Sequence, residues 1–311
     1  MTAADWVGAS VRARSMATRR AGVGLCRELA NQPNLEAALA LLSDSAYGER
    51  LASAHTLAEA QRAISETVLW ELRVLAGWLP VQGTALVRAA AAFFERDNIV
   101  VRMGELYAGK PPDGRYFDLG ALSTAWPSVL AATSVAEVGE AVRHSPWGDP
   151  GDTLLPGSMA DVLTVSWLRR LSVAAPETHD WTRTAGALLV ARAVLVDEAE
   201  PTDRLVQLLR PLIGTAWMFA SDLDALRTGL PASVRASLDG INTPDDLWRA
   251  EARLVATVDA EGARLLHGSL PGPGIITGAL AVLGADSAMT RAALVAACTG
   301  ARNFEVIDVM A

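Results

Sequence analysis

Helix-forming residues run through almost the whole chain, and this pattern constrains the fold more than any other feature of the sequence. Alanine alone makes up roughly a fifth of the 311 residues, and alanine and leucine both favour helices. Runs of β-branched residues are short, and no alternation of apolar and polar residues persists long enough for a strand. The sequence therefore predicts an all-α fold.

The composition limits what kind of protein this is. Hydrophobic residues make up 51% of the chain, which is enough for a sizeable core and excludes a disordered chain. The 27 basic residues are outnumbered by 35 acidic ones, and the formal net charge is −8. Because binding to phosphates needs a basic face, this balance argues against nucleic acid as the main partner.

Capping signals and helix breakers divide the pattern into segments. Thr56 and Glu59 fit a capping box, and the run Thr243-Pro244-Asp245-Asp246 is typical of a helix start. Asp286 is expected to cap the last helix or pair of helices. Segment 145–157 is a break rich in Pro and Gly. The predicted helical segments are 5–30, 35–42, 57–78, 84–107, 134–144, 159–171, 180–196, 201–227 (one helix or two) and 243–266.

No membrane-spanning segment or signal peptide is predicted. The N-terminus has no basic stretch leading into an apolar run. The most apolar stretches are 184–196, which Arg192 interrupts, and 275–298, which contains Asp286 and Arg291. Neither offers the roughly 20 clean apolar residues that a span requires.

The most suggestive catalytic motif is the segment from Gly104 to Lys110, whose glycine and lysine spacing matches a phosphate-binding loop. Such a loop needs a preceding strand and a Ser or Thr after the lysine, but here a helical run precedes it and Pro111 follows. A helix that ends in a glycine cap explains the same residues. We therefore expect a helix C-terminus rather than a nucleotide site.

Other catalytic and metal-binding patterns are also weak. The four histidines are scattered without the spacing of metal ligands, and Cys26 and Cys298 are too few for a structural zinc site. Asp245 and Asp246 resemble the acid-rich motif of helical terpene synthases, but the further acids which that motif needs do not follow. We predict no catalytic residue, no cofactor and no metal ion.

Arginine is concentrated near the N-terminus. Residues 1–28 contain five Arg against Asp5 and Glu28. Arg12 and Arg19 are seven positions apart and share a helix face. A solvated face is the simple interpretation, and contact with an acidic partner or with anionic lipid head groups is the alternative.

Two segments of the chain look alike. Segments 93–101 and 299–307 each follow a long Ala/Leu-rich helix and place an Asn, Asn98 or Asn303, close to an apolar residue. Segment 180–196 lies roughly midway between them and lacks the Asn. Three units of about 100 residues would explain the spacing, and chance similarity among Ala-rich helices is the alternative.

Four segments, in order, resemble the central-stalk component of V/A-type rotary ATPases, which is of the C type in bacteria and archaea and of the d type in eukaryotes. Segment 8–16 is similar to the family's opening Arg-x-Arg-x-Met helix, and segment 35–47 to its short helix before a Tyr, with Leu42, Ser45 and Tyr47 matching. Segment 93–102 resembles its Asp-x-x-Asn stretch. Segment 302–307 resembles its closing Arg-Asn motif, with Glu305 where the family often has Arg.

The resemblance implies a fold of three similar helical units around a pseudo-threefold axis, shaped as a funnel. The units are expected at 1–120, 121–205 and 206–311. The resemblance further implies a non-catalytic rotor adaptor that couples shaft subunits of the D and F type to the membrane rotor ring during ATP-linked proton or sodium transport. Such a protein is cytoplasmic and lies at the membrane through its complex, without a transmembrane segment of its own.

The resemblance and the charge pattern together give a set of candidate partner-binding residues. The set comprises Arg12, Arg14, Arg19, Arg96, Asn98, Arg302 and Asn303. Asn98 and Asn303 are expected to fix backbone turns at the junctions of the units, since Asn favours turns. The alternative function is a helical small-molecule-binding protein or a terpene-synthase-like enzyme.

Overall fold

The computed structural model describes residues 3–111, 115–299 and 305–310. Within these ranges 75% of the residues are helical and no strand occurs, which confirms the all-α prediction. Short 3₁₀ turns connect many of the α-helices. The α-helices are α1 (Val7–Thr18), α2 (Gly22–Ala30), α3 (Leu35–Leu42), α4 (Gly48–Leu51), α5 (Leu57–Ala76), α6 (Thr84–Tyr107), α7 (Trp126–Ala131), α8 (Val135–Arg143), α9 (Pro156–Ala174), α10 (His179–Leu195), α11 (Asp203–Ile213), α12 (Leu223–Gly229), α13 (Ala232–Arg235), α14 (Leu247–Leu266), α15 (Pro273–Thr299) and α16 (Glu305–Met310).

The helix starts that depend on local capping agree with the sequence. Thr56 accepts from the Glu59 amide while the Glu59 carboxylate accepts from the Thr56 amide, so the predicted capping box is present. Asp222 caps α12 through the Ala225 amide at 2.8 Å. At the predicted start, Thr243 precedes a 3₁₀ turn, Pro244–Asp246, which leads directly into α14. The expected cap by Thr243 is wrong, because its hydroxyl donates to the Asp246 carboxylate at 3.0 Å and accepts no backbone amide.

The glycine and lysine motif is the end of a helix, as predicted. Helix α6 ends at Tyr107, and Gly109 follows with a φ of +64°, in the left-handed region that favours glycine. The Lys110 amide donates back to the Glu105 carbonyl at 2.8 Å. This bond and the glycine conformation form a helix C-cap.

Two further expectations were wrong. The predicted helical segment 5–30 is broken after Thr18, and a new helix, α2, begins at Gly22. Asp286 does not cap a helix start within its own segment, because α15 continues through it from Pro273 to Thr299. These two errors have one cause, since Asp286 binds the backbone at the break.

The chain is divided into two compact units. The first unit comprises Met1–Val87 and Glu251–Ala311, and the second comprises Arg88–Ala250. The first unit therefore joins the two ends of the chain. The predicted division at 120/121 and 205/206 stays a prediction.

Helix α15 is the core helix of the first unit. It packs against α1, α2, α3 and α5, and its residues Ile276, Ala279 and Val282 are fully buried. It also crosses α14 at a pair of glycines. A Cβ atom placed on Gly278 would lie 2.6 Å from the Gly262 carbonyl oxygen, so the backbones approach too closely for any side chain.

The second unit has its core around α6 to α11. Helices α9, α10 and α11 pack against one another, and α7 packs against α8. One buried cluster joins the second half of α6 to α7, α8 and α9. Its large members are Ile99, Met103, Val129, Val138, Val142, Trp147, Met159 and Leu163.

The close approach of α14 and α15 predicts opposite effects for two glycine substitutions in one helix. Gly278→Ala forces the backbones apart and is expected to destabilise the protein by about 1–3 kcal/mol. Gly284→Ala in the same helix meets no atom within 4 Å and is expected to stabilise it by about 0.5–1 kcal/mol. Urea unfolding of the two variants measures both values, and a stability of Gly278→Ala equal to that of the original chain would contradict the close approach.

Candidate functional site

A fully buried carboxylate holds the N-terminal part of the first unit. Asp286, in the middle of α15, has no exposed surface. Its Oδ1 accepts from the Gly22 amide at 2.7 Å, and its Oδ2 accepts from the Ala21 amide at 3.1 Å and from the Tyr47 hydroxyl at 2.7 Å. The first amides of a helix have no hydrogen-bond acceptor within that helix. Asp286, on α15, supplies the acceptor for the amides at the start of α2.

The groups around Asp286 are held in their protonated forms. Burial first, and then the negative charge of Asp286, raise the pKa of the Tyr47 hydroxyl well above its ordinary value. Burial also raises the pKa of the nearby Cys26 thiol to about 12. Cys26 contacts the Thr290 hydroxyl at 3.6 Å. A thiol with this pKa is a poor nucleophile, and the cluster is suited to holding helices together.

A second buried carboxylate, in the second unit, also accepts hydrogen bonds from the start of another helix and from an aromatic side chain. Glu95, in the middle of α6, is 1% exposed. Its Oε1 accepts three consecutive backbone amides at the start of α7, and its Oε2 accepts from the Trp147 indole N–H at 2.9 Å. The three amides belong to Thr124 at 2.6 Å, Ala125 at 2.7 Å and Trp126 at 2.9 Å.

The hydrogen bonds keep Glu95 ionised. Burial acts to raise the pKa of the Glu95 carboxyl, but the bonds from Thr124, Trp126 and Trp147 outweigh burial and the pKa is lowered. The Arg170 guanidinium lies 4.8 Å from the centre of the Trp147 ring, and its charge also acts on Glu95. The carboxylate is therefore a structural anion with a full set of donors.

The aromatic donors lie in two turns with matching hydrogen bonds. We call segments 42–48 and 142–148 the aromatic turns. In the first, Ser45 Oγ donates to the Leu42 carbonyl at 2.6 Å and accepts from the Tyr47 amide at 3.2 Å. In the second, Ser145 Oγ donates to the Val142 carbonyl at 2.6 Å and accepts from the Trp147 amide at 3.2 Å.

Each aromatic turn ends in a glycine and follows a capped helix. The amides of Gly48 and Gly148 donate to the carbonyls of Ser45 and Ser145, both at 3.1 Å. A Cβ on Gly48 would lie 1.9 Å from the Ser43 carbonyl oxygen, and Gly148 has a φ of +76°, so each position requires glycine. The capping residues, Asn34 and Ser134, both stand eleven positions before the turn serine. The two segments therefore share one pattern of cap, spacing, serine bonds and glycine, which we call the module.

A third segment, 222–240, is partly similar. Asp222 caps α12, and Ser237 Oγ donates to the Val234 carbonyl at 2.7 Å, three positions before Gly240. Here Arg227 supplies the long-range bonds, donating to the carbonyls of Leu238 at 3.0 Å and Ile241 at 2.8 Å. This segment has a capped helix and a serine bond, but fifteen positions separate the cap from the serine, and a cation stands where the two modules have a carboxylate.

The N-terminal arginines make contacts within the first unit. Arg14 donates to the carbonyls of Leu266 at 3.0 Å and Gly268 at 2.6 Å, at the end of α14. Arg19 pairs with Glu71 on α5 at 3.3 Å, and Arg12 also acts on Glu71 through its charge. Burial raises the pKa of the Glu71 carboxyl even though both arginines lower it.

Arg96 and Asn98 lie together on α6 in the second unit. Arg96 pairs with Asp97 at 2.6 Å, donates to Thr164 at 3.2 Å and stacks on the Phe93 ring at 4.3 Å. Asn98 is 2% exposed, donates to the Phe117 carbonyl at 2.9 Å and accepts from the Phe117 amide at 2.7 Å. Asn98 thus fixes the backbone of a distant segment while its own backbone is helical.

The partner-binding role of these residues stays a prediction. The structure groups Arg12, Arg14 and Arg19 in the first unit and Arg96 with Asn98 in the second. Arg302 and Asn303 lie outside the described residues, and so does most of the predicted second Asn segment.

The sequence did not predict the two carboxylate anchors. Asp286 resembled a helix cap, and Glu95 is one of several charged residues in its segment. Trp147 fell in a stretch that looked like a break rich in Pro and Gly. The recurrence of Ser-x-aromatic-Gly at Ser45 and Ser145 was the signal that would have linked the two turns.

The second unit also contains a pocket of about 590 Å³. It is lined by the ends of α10 and α12 and by segment 241–244, and its charged residues are Glu198, Asp222, Asp224 and Arg227. Asp222 caps α12 and Asp224 pairs with Arg227 at 2.9 Å. Among residues 3–111, 115–299 and 305–310, no group of three or more His, Cys, Asp or Glu side chains is placed to hold a metal ion.

One helix in the described part of the chain, α15, is long and apolar enough to cross a membrane, judged by length and composition alone. Of its most apolar stretch, 61% is buried inside the protein. Asp286 lies on this helix, and its three donors come from Ala21, Gly22 and Tyr47 in the segments packed around it, which is the arrangement of a core helix.

No family model matches this chain, and no curated protein matches its sequence.

The Glu95 anchor predicts a stability that depends on pH. The pKa of Glu95 lies below its ordinary value of 4.5, so the folded carboxylate contributes stability above that pH and loses it as the pH falls through the lowered pKa. Glu95→Gln places a side-chain amide, which is itself a donor, against several donors. The substitution is expected to lower the free energy of unfolding by about 1.5–3 kcal/mol at neutral pH.

Urea unfolding between neutral and acidic pH measures this contribution. The difference between the original chain and Glu95→Gln is expected to shrink below the ordinary carboxyl pKa. Glu140→Gln is the matched control, because Glu140 is exposed and its loss is expected to cost less than about 0.5 kcal/mol. An equal loss at the two positions would show that Glu95 is not an anchor.

Proposed function

We propose that this chain is a non-catalytic rotor adaptor of a V/A-type ATPase, which couples shaft subunits of the D and F type to the membrane rotor ring. The observation that carries the proposal is the repeated module, with its aromatic turn and its buried carboxylate anchor. Ser45 and Tyr47, which belong to the resemblance in the sequence, are the residues that form the first turn and its anchor.

The repetition supports an architecture of similar helical units. The module recurs at Ser145 and Trp147 with the same hydrogen bonds, and segment 222–240 shares with it a capped helix and a serine bond. Three related segments suit the proposed arrangement of three units around a pseudo-threefold axis, in the shape of a funnel. In this proposal the adaptor lies at the cytoplasmic face of the membrane, through its complex.

The chemistry of the buried polar groups also suits a mechanical part. Asp286 and Glu95 use their hydrogen-bonding capacity on helix starts and aromatic donors, and the raised pKa of Cys26 keeps its thiol protonated. Groups arranged in this way hold helices in fixed positions. Fixed positions are what an element needs when it transmits torque between two partners.

Co-purification from the native cell tests the proposal. A tagged chain, extracted in mild detergent, is expected to bring down shaft subunits of the D and F type and the rotor ring, identified by mass spectrometry. Recovery of the folded chain without them, from cells in which an intact rotary ATPase is isolated in parallel, would refute the proposal.

Charge reversal tests the predicted contact with the shaft. The double variant Arg96→Glu with Arg302→Glu is expected to weaken binding to the shaft subunits at least tenfold in a pull-down, since reversed charges at an interface repel the partner. Arg210→Glu, at an exposed position on α11, is the matched control and is expected to bind normally. Thermal unfolding is measured alongside, because Arg96 also bonds Asp97 and Thr164. Unchanged binding by the folded double variant would show that these two arginines do not contribute to the contact with the shaft subunits.

The alternative, a helical small-molecule-binding protein or a terpene-synthase-like enzyme, would use the pocket of the second unit. The pocket is large enough for a small ligand. However, Asp222 and Asp224 already cap α12 and pair with Arg227. The repeated module has no part in this alternative, so we favour the adaptor.

A further inference from the structure

Exposed apolar side chains converge at one end of helix α1 in the first unit. Val7 and Val11 are 47% and 61% exposed and stand one turn apart. Trp78, which is 56% exposed, lies against Gly8 between them, because a Cβ on Gly8 would be 3.4 Å from the indole Cε3. The exposed apolar residues of α1 and of the segment after α5 therefore form a continuous patch.

Two further apolar side chains extend this patch. Val81 is 84% exposed and belongs to the turn in which Gly83 packs against the buried Trp6 ring, directly before α1. Leu270 is 75% exposed in the loop after α14, and Arg14 holds that loop through the Gly268 carbonyl. We call Val7, Val11, Arg14, Trp78, Val81 and Leu270 the α1 ridge. Exposures this large mean that the side chains project from the surface.

Arg14 gives the ridge a positive charge. Arg14 shares a helix face with Val7 and Val11, since the three stand at i, i+4 and i+7. Its two hydrogen-bond partners are uncharged carbonyls. Helix α1 contains no acidic residue, although the chain as a whole has a net charge of −8. The ridge is thus an apolar surface with one basic side chain on an acidic protein.

We propose that the α1 ridge docks on a bilayer surface that bears anionic lipids. An exposed tryptophan, aliphatic side chains and an arginine on one projecting face form the combination that enters the boundary between head groups and acyl chains. The apolar groups bury there, and Arg14 remains at the level of the lipid phosphates. A projecting ridge suits a deformable bilayer, whereas a protein partner would need a matching groove.

Vesicle sedimentation with the purified full-length chain tests this proposal. The chain is expected to sediment with vesicles of phosphatidylcholine mixed with phosphatidylglycerol, and weakly with phosphatidylcholine alone. Binding is expected to weaken as salt rises, because the attraction to anionic lipid is screened. Equal binding to the two kinds of vesicle, or no binding to either, would overturn the proposal. This test needs no rotary ATPase subunit, so its outcome is independent of the proposed adaptor function.

Three variants locate the binding surface. Trp78→Ser combined with Val81→Ser is expected to abolish sedimentation, and Arg14→Gln to weaken it about fivefold, the loss expected for one basic residue near the surface. Phe219→Ser is the matched control, because Phe219 is 87% exposed in the second unit and outside the ridge. Circular dichroism checks that each variant is folded.

Two results would assign the ridge differently. Undiminished binding to anionic vesicles by the folded Trp78→Ser, Val81→Ser variant would place the lipid contact elsewhere and overturn the proposal. Binding of the original chain to an acidic peptide, with no sedimentation on anionic vesicles, would make the ridge a protein-binding surface and would also overturn it. If the double variant does not fold, the lipid selectivity and the salt dependence of the original chain, together with Arg14→Gln, decide the question.

Discussion

The structure depends on two carboxylates that are buried in the middle of long helices. Burying a charge is costly unless hydrogen bonds replace the lost water, and Asp286 and Glu95 meet this condition with backbone amides and an aromatic donor each. The amides that they accept stand at helix starts, where no partner exists within the helix. Each carboxylate thus satisfies donors that would otherwise be unpaired, and at the same time ties a short helix to a long one.

The two modules have the same hydrogen-bond geometry, but the acid and the aromatic donor differ between them. Asp286 accepts from a tyrosine hydroxyl, and Glu95, whose side chain is one carbon longer, accepts from a tryptophan indole. The turn serine and the turn glycine are the same in both, because their bonds define the backbone path. The acid and the aromatic residue can therefore differ between two modules, provided that a hydrogen bond still joins them. The similarity of the two modules lies in their hydrogen bonds more than in their residue identities.

The sequence predicted what is decided locally. Thr56 marks a helix start through Glu59, three positions away, and the run from Thr243 to Asp246 is equally local, so both patterns are visible in a short window. The break before Gly22 depends on a carboxylate more than 260 positions away, and no local signal records that contact. Asp286 was misinterpreted for the same reason: an acid in an apolar segment looks like a cap unless its distant partners are known. The all-α fold was predictable, and the anchors were not.

The anchors also determine how force would pass through the first unit. Asp286 bonds residues from the start of α2 and from the first aromatic turn, and Arg14 bonds the end of α14. These contacts join the N-terminal helices to the C-terminal ones across most of the chain's length. Hydrogen bonds are directional, and α1 also packs directly against α15, so both kinds of contact would resist movement of the N-terminal helices relative to the core helix. For the proposed adaptor, these contacts would keep the α1 ridge in a defined position relative to the core helix when it docks on the proposed bilayer surface.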